Sequence, residues 1–306
     1  MKNILLVLVV CSLAFAGCKK KGCMNPNATN YDPKAKQEDG SCEFPSGNIE
    51  ITWPVNSNLY RNVLIEDYTG HLCINCPAAA EIASSLETDN PGRVFVASIH
   101  ASPDGSFQGV QPPDFTTDFT TNAGTAYTTD MPGFLGNPMG TVNRTDEGLG
   151  NTVWYVDSDW GTATSTALTA PLQANLQLQY DYSAQNNELT IYTETEFKSN
   201  MSGNFNLILY LVRDTVISGQ KMNTGATDLD YVHRSVLSDN INGNWGTNVL
   251  SGAVSNGEFI YENFTYQLPD PTIDLTFNIN NLSIITYLCN RTSFEVIQVI
   301  KTELAP

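Results

Sequence analysis

The chain has 306 residues, of which 41% are hydrophobic, and its 15 basic and 32 acidic side chains give a formal net charge of −17. This length favours two globular domains, each large enough to bury its own core. The acidic balance supplies no basic patch for a phosphate backbone, which argues against nucleic acid as a partner.

Residues 1–17 have the composition of an export signal. Lys2 supplies the positive end, and residues 4–16 form an apolar run that is too short for a permanent membrane span. The small residues before Cys18 are typical of a bacterial lipobox, so we expect Cys18 to be the lipidated first residue of the mature protein. An ordinary signal peptide cut nearby is the alternative, and in either case the protein leaves the cytoplasm.

Residues 18–46 comprise Cys18 and a turn-rich motif bounded by two cysteines, of which residues 23–42 have almost no apolar content. Such a segment cannot fold by burial, so we expect a Cys23–Cys42 disulfide to support it, contributing roughly 3 kcal/mol. The same segment is a candidate calcium site, although these residue types also dominate plain turns. The oxygen donors would come from Asn25, Asn27, Asn30, Asp32 and Asp39.

Residues 47–170 show a periodic α/β pattern. A buried strand over 62–68 leads into a helix over 74–88, and a second buried strand follows over 93–100. Two strands joined by a helix over this distance predict a right-handed parallel crossover.

Residues 101–137 are rich in Gly, Pro, Thr and aromatic residues and predict a long loop with a poor helix over 114–127. A loop of this length is more often functional or covering than empty. Pro138 then precedes a short strand, and a helix over 158–168 closes the domain.

From residue 171 the apolar period changes to two, and short strands alternate with Asn- and Gly-rich turns. About seven such strands predict an antiparallel β-sandwich, of the immunoglobulin or jelly-roll kind, over 171–306. The predicted fold is therefore α/β followed by all-β. No dinucleotide or phosphate-binding glycine motif occurs, so we expect no nucleotide cofactor.

The C-x-x-C pair Cys73 and Cys76 carries the clearest chemical signal, since it follows a buried strand and opens a helix. Unpaired N–H groups and the helix dipole stabilise a thiolate there. We interpret Cys73 as the attacking, exposed cysteine and Cys76 as the resolving thiol. A zinc site would need a second pair of ligands from Cys289, His71, His100 or His233, whose spacing does not match.

Three neighbours complete this candidate site. Asp67 lies at the inner end of the strand and is a candidate acceptor for the Cys76 proton, its alternative being a turn or capping acid. Pro138 is a candidate cis-proline packed against the disulfide. His71 would lower the pKa of Cys73 if it lay nearby, but we expect it to face solvent.

His233 and Cys289 are interpreted as core residues, a packing histidine and a buried free thiol.

The order of these features resembles the thioredoxin pattern, and four blocks resemble an outer membrane protein family named for a twenty-eight-kilodalton member of Gram-negative envelopes. The Ile74-Asn75 dipeptide departs from the Gly-Pro of thioredoxins, and no aromatic residue precedes Cys73. The blocks are residues 66–83, 136–144, 231–246 and 284–302.

The resemblance implies a thioredoxin-like domain followed by a β-sandwich on a lipid-anchored envelope protein, but no settled activity. We expect an outer-membrane lipoprotein facing the periplasm that exchanges disulfides with envelope proteins. The alternative is a non-catalytic binding or assembly lipoprotein in which Cys73–Cys76 is a structural bond.

Overall fold

The computed structural model describes residues 20–24, 28–37, 39–43, 52–148 and 153–306. The predicted signal segment 1–17, the predicted lipidation site Cys18, and Asn25 and Asn27 lie outside these residues. The expected Cys23–Cys42 disulfide is formed, with an S–S distance of 2.06 Å.

A parallel βαβ unit opens the main body of the fold. Strand β1 (Val63–Thr69) runs parallel to β2 (Val94–His100) with Val63 opposite Val94, and helix α1 (Cys76–Asp89) connects them. Ala79 and Ala83 bury the helix against the sheet, and Pro77 lies in its first turn, where a missing N–H costs little. The predicted strands, helix and parallel pairing are confirmed.

Two strands and two helices extend this unit. Strand β3 (Met139–Val142) pairs antiparallel with β1, and β4 (Trp154–Tyr155) pairs with β3. Helix α2 is Asn122–Asp130, later than the predicted 114–127, because the Thr121 side chain caps it by accepting a hydrogen bond from the Gly124 amide. Helix α3 (Trp160–Ala167) lies where a helix was predicted.

Ten strands follow in the remainder of the described chain. They include the segments for which the apolar period of two predicted strands. They are β5 (Ala174–Ser183), β6 (Glu188–Phe197), β7 (Met201–Ile217), β8 (Gln220–Lys221), β9 (Thr227–Asp228), β10 (Val232–Asn240), β11 (Thr247–Val254), β12 (Phe259–Gln267), β13 (Leu282–Asn290) and β14 (Val296–Glu303).

Five of these strands, β7, β10, β11, β13 and β14, join the sheet of the first unit, whereas β5, β6 and β12 form a second sheet and β8 pairs with β9. The large mixed sheet has the order β14-β13-β7-β10-β2-β1-β3-β4, with β11 also paired to β7. The link between its halves is the parallel pairing of β10 with β2 at Val236 and Ser98. Over the residues that the structure describes, the fold is therefore mostly β with three α-helices, built from mixed and antiparallel sheets.

The second layer is the antiparallel sheet β12-β6-β5, which packs against β7, β13 and β14 through a shared apolar cluster that includes Ile191, Leu209 and Ile284. The large sheet also curls, since β14 approaches the start of β1. The Asn62 side-chain amide donates to the Val299 carbonyl (2.9 Å), and the Val296 amide donates to the Asn143 carbonyl (2.9 Å).

The inside of this curl holds a buried ion pair among apolar residues. Arg144 donates to both carboxylate oxygens of Glu66, at 2.7 and 2.6 Å, and also to the hydroxyls of Tyr210 and Tyr287. Burial opposes the charged form of Glu66, but the guanidinium and the hydrogen bonds hold its pKa below the ordinary value. Cys289 is the predicted buried free thiol, and burial raises its pKa to about 11.

Candidate functional site

The Cys73–Cys76 pair is a disulfide (S–S 2.08 Å) at the junction of β1 and α1. Cys73 lies in the turn after β1 and Cys76 is the first residue of the helix. Both are buried, with exposed fractions of 2% and 1%. The expectation that Cys73 is exposed is therefore wrong.

Two distant segments cover the disulfide and explain its burial. From residues 217–231, the Gln220 side-chain amide donates to the Cys73 carbonyl (3.0 Å) and the Lys221 amide donates to the His71 carbonyl (2.8 Å). From residues 101–119, the Phe107 carbonyl accepts from the Leu72 amide (3.0 Å). The long loop predicted to be functional or covering thus packs over the C-x-x-C turn.

Glycines allow these segments to approach closely. A Cβ atom at Gly70 would overlap the Phe107 carbonyl, and one at Gly219 would overlap the carbonyl of Asp114. At Gly70 the backbone of the turn therefore touches the 101–119 segment, and at Gly219 the two covering segments touch each other, without space for a side chain.

Asp67 and Glu66 are adjacent in β1, so their side chains point to opposite faces of the sheet. The side chain of Asp67 is fully buried on the face that packs against α1 and α3. Neither carboxylate oxygen has a hydrogen-bond partner. Burial, with a smaller contribution from the charge of Asp157, raises its pKa to about 7. The carboxyl therefore titrates in the pH range in which thiols exchange protons.

Pro138 follows a cis peptide bond, as predicted. The next residue, Met139, pairs with Tyr68 of β1, and the Asn137 side chain donates to the Thr69 carbonyl (2.5 Å). These contacts place Pro138 at the end of β1 from which the C-x-x-C turn departs.

All three histidines of the chain gather around Phe119. The ring centroids of His100, His233 and His71 lie 4.3, 4.7 and 5.7 Å from that of Phe119. His71 is buried and its Nε2 is 2.9 Å from the Gly109 carbonyl, so the expectation that it faces solvent is wrong. His233 is the predicted packing histidine, with Phe119 and Tyr231 against its ring.

Burial keeps these rings neutral. It lowers the pKa of His233 to about 4, lowers that of His71, and lowers that of His100 well below its usual value with help from the other two rings and Arg213. Neither ring nitrogen of His100 has a partner, nor does Nε2 of His233. Three buried imidazoles thus present unsatisfied polar atoms beside the candidate site.

A cleft of about 670 Å³ runs between α1 and β10, over the ends of β1 and β2. Its lining includes Asp67, Cys76, His100, Tyr231 and His233. No sequence pattern predicted that His100, Tyr231 or Gln220 would lie at a redox site. The signal for Tyr231 and His233 was their presence in a family block, whereas nothing local to Gln220 indicates its contact with Cys73.

No group of three or more metal-ligating side chains occurs within the described ranges. The oxygens of the 20–43 segment are used in turns: Asp32 pairs with Lys20 (2.5 Å) and accepts from the Lys34 amide, and Asp39 accepts from the Ser41 amide. Of the helices in the part of the chain that the structure covers, none has the length and apolar character needed to span a membrane.

Residues 127–306 match the family described as outer membrane protein Omp28. No curated protein gives a significant match. Among solved structures, HBP35 of Porphyromonas gingivalis is similar with a TM-score of 0.59 at 14% identity, over 81% of this chain and 77% of that one.

Two further structures show weaker likeness. A protein of Agrobacterium tumefaciens has a TM-score of 0.48 at 12% identity, over 82% of this chain and all of its own. A domain of the outer membrane lipoprotein Omp28 from Porphyromonas gingivalis has a TM-score of 0.32 at 19% identity, over 44% of this chain and 90% of its own.

Proposed function

Because the chain belongs to the Omp28 family of outer membrane proteins, we propose that it is a lipoprotein of that membrane which exchanges disulfides with envelope proteins through Cys73 and Cys76. In this proposal Cys18 carries the lipid and the folded part faces the periplasm. The arrangement of β1, α1, β2 and β3, with Pro138 beside the C-x-x-C turn, supports a thioredoxin-like unit.

The observation that carries the proposal is the buried, unpartnered carboxyl of Asp67, which lines the same cleft as Cys76. An isolated buried acid destabilises a protein when it ionises, so such groups persist mainly where their chemistry is used. A purely structural disulfide has no use for an ionisable group at this position. A disulfide that opens and closes does, because each cycle moves a proton to and from a cysteine.

The exchange starting from the disulfide form proceeds in two steps. A substrate thiolate attacks Sγ of Cys73, the Cys73–Cys76 bond breaks, and Cys76 leaves as a thiolate that takes the proton of the Asp67 carboxyl. The second thiolate of the same substrate then attacks the substrate sulfur that is bonded to Cys73. This forms the substrate disulfide and releases Cys73 as a thiolate. The substrate dithiol is oxidised to a disulfide and the C-x-x-C pair is reduced; the reverse sequence reduces a substrate disulfide.

The cover must open for this chemistry. A thiolate must reach Sγ of the attacked cysteine, and Cys73 lies beneath Gln220. Movement of residues 217–231 away from the turn breaks the hydrogen bonds that Gln220 and Lys221 donate to it, and also the bond from the Ser218 hydroxyl to Thr117. Since a single net hydrogen bond contributes about 1 kcal/mol, such an opening is accessible.

The same burial favours the second candidate function, a non-catalytic binding or assembly lipoprotein with a permanent bond at this turn. A disulfide that is 1–2% exposed resists exchange. The two candidates differ in what they require of Asp67, because only the exchange reaction uses its proton.

The decisive measurement is the reduction potential of the Cys73–Cys76 pair in glutathione buffers, with Cys23–Cys42 as the internal control. We expect a potential well above that of the control bond. A value below about −300 mV fits a structural bond and refutes the exchange reaction.

A trapping experiment tests the same proposal in cells. Cys76→Ser leaves Cys73 unable to resolve a mixed disulfide, so covalent adducts with envelope proteins should accumulate, and Cys73→Ser/Cys76→Ser should abolish them. If the single variant yields no adducts beyond those of the double variant, the binding role is favoured.

A further inference from the structure

The cleft between α1 and β10 has unusual polar groups at its base. The two carboxylate oxygens of Asp67, both ring nitrogens of His100 and Nε2 of His233 are buried without partners, and all three residues line the cleft. Buried polar atoms are nearly always paired, so a cluster of unpaired ones around an open volume indicates a bound molecule that completes them.

Strand register brings these groups together. Asp67 lies opposite Ser98, and Thr69 lies opposite His100, on adjacent parallel strands about 4.8 Å apart. Asp67 and His100 are therefore diagonal neighbours on one face of the sheet. His233 approaches from β10, with its ring centroid 5.4 Å from that of His100.

The charge of the cleft favours a cation. Five carboxyl groups and two cationic side chains line it, and Lys301, one of those cations, is already paired with Asp214 at 2.7 Å. Neutral imidazoles add acceptor nitrogens without adding positive charge. A buried carboxylate without a counter-ion beside such acceptors is a site for a compact cation that carries several N–H donors.

We propose that the cleft binds a primary alkylammonium group, on a small amine or on a lysine side chain, with Asp67 as its counter-ion and His100 and His233 as hydrogen-bond acceptors. An ammonium group has three donors and no acceptor, which matches this set. Pro77, Ala80 and Val232 supply apolar wall for the alkyl chain. The volume of about 670 Å³ is several times that of the ammonium group itself, so it holds the chain as well.

This inference stands apart from disulfide exchange, because it concerns the oxidised protein and involves no thiol. Binding of an ammonium group keeps Asp67 ionised. At a pH below the Asp67 pKa of about 7, binding therefore releases a proton, which a purely structural carboxyl would not do.

The test is isothermal titration calorimetry of the full chain, oxidised and held in detergent, at about pH 8, where Asp67 is ionised. The probes are n-butylammonium and N-acetyl-lysine methylamide, with n-butanol and N-acetyl-norleucine methylamide as uncharged controls. We expect one saturable site for the amines and none for the controls. Tighter binding of the lysine derivative identifies a polypeptide side chain as the ligand, and tighter binding of butylammonium identifies a free amine.

Variants locate the site. Asp67→Asn should weaken amine binding by roughly ten-fold or more, the loss expected for a charged hydrogen bond. Asp89 is an exposed carboxylate at the far end of α1, so Asp89→Asn is the matched control and should bind the amines as the parent does. At about pH 6.5, the binding enthalpy should differ between MES and phosphate buffers, neither of which is a primary amine, because a proton is released.

Three results overturn the inference: equal binding of the uncharged controls, unchanged binding by Asp67→Asn, or no binding of either amine, which would leave water as the occupant of the cleft. None of them bears on the reduction potential of Cys73–Cys76, so a failure here is distinguishable from a failure of the exchange reaction.

Discussion

Replacing Asp67 with Asn tests the energetic role of the buried carboxyl. The pKa of this group rises from 3.8 in the unfolded chain to about 7 in the fold, so the native state binds its proton more tightly. Its stabilising contribution is complete below about pH 3.8 and is lost as the pH rises through about 7. At 1.36 kcal/mol for each pH unit, the loss amounts to about 4 kcal/mol.

Asp67→Asn cannot ionise, so it should match the parent near pH 3 and exceed its free energy of unfolding by up to about 4 kcal/mol above pH 8. Urea unfolding across this range, with both disulfides intact, measures the difference. The histidines act oppositely: the lowered pKa values of His100 and His233 remove stability as the pH falls below about 6.5.

Subtracting the parent curve from the variant curve cancels the histidine contribution, because both proteins contain the same three rings. The difference curve should therefore rise between about pH 4 and pH 8 and be flat outside that range. Asp89→Asn should give a flat difference throughout. A flat difference for Asp67→Asn would refute the assignment of an unpaired, buried carboxyl.

The remaining predictions concern the buried ion pair, the cover and the anchor. Arg144→Met leaves Glu66 charged and unpaired inside the sheet, so urea unfolding should show a loss of about 3–5 kcal/mol, and a loss under about 1 kcal/mol would contradict the pairing. Gly219→Ala forces residues 217–231 away from the carbonyl of Asp114, so reduction of Cys73–Cys76 by dithiothreitol should accelerate about ten-fold; an unchanged rate would show that this segment does not limit access. Cys18→Ser should move the protein from the membrane to the soluble fraction on cell fractionation, and retention would exclude Cys18 as the anchor.

The local part of the candidate site could be predicted from the sequence. The strand, the C-x-x-C turn and the helix each depend on residues within about ten positions of one another, and their apolar period and turn residues are explicit. The burial of Asp67 follows from its place in a strand that is covered on both faces. The cis peptide before Pro138 required fold context, which the order of the motifs supplied.

The covered state of Cys73 could not be predicted, because it depends on Gln220, which is 147 positions away in the chain. A glutamine between two short polar segments carries no signal of such a contact. The error for His71 has the same origin, since Phe115 and Phe119 pack on its ring from the long loop. Similarly, the change of period at residue 171 indicates new strands but does not indicate that β10 pairs with β2 across it.

The two sides of the disulfide are reached by different routes, and this bears on how the proposed exchange would work. Cys76 and Asp67 line the cleft, whereas Cys73 lies behind Gln220 and the 217–231 segment. Protons or an ammonium group can therefore reach Asp67 while a thiolate is still kept from Cys73. An amine held at Asp67 would leave that carboxyl without a proton to give, so the departing Cys76 thiolate would have none to take and exchange would slow. Occupancy of the cleft and movement of residues 217–231 would thus be separate controls on one bond, and Gly219→Ala alters the second while leaving Asp67 in place.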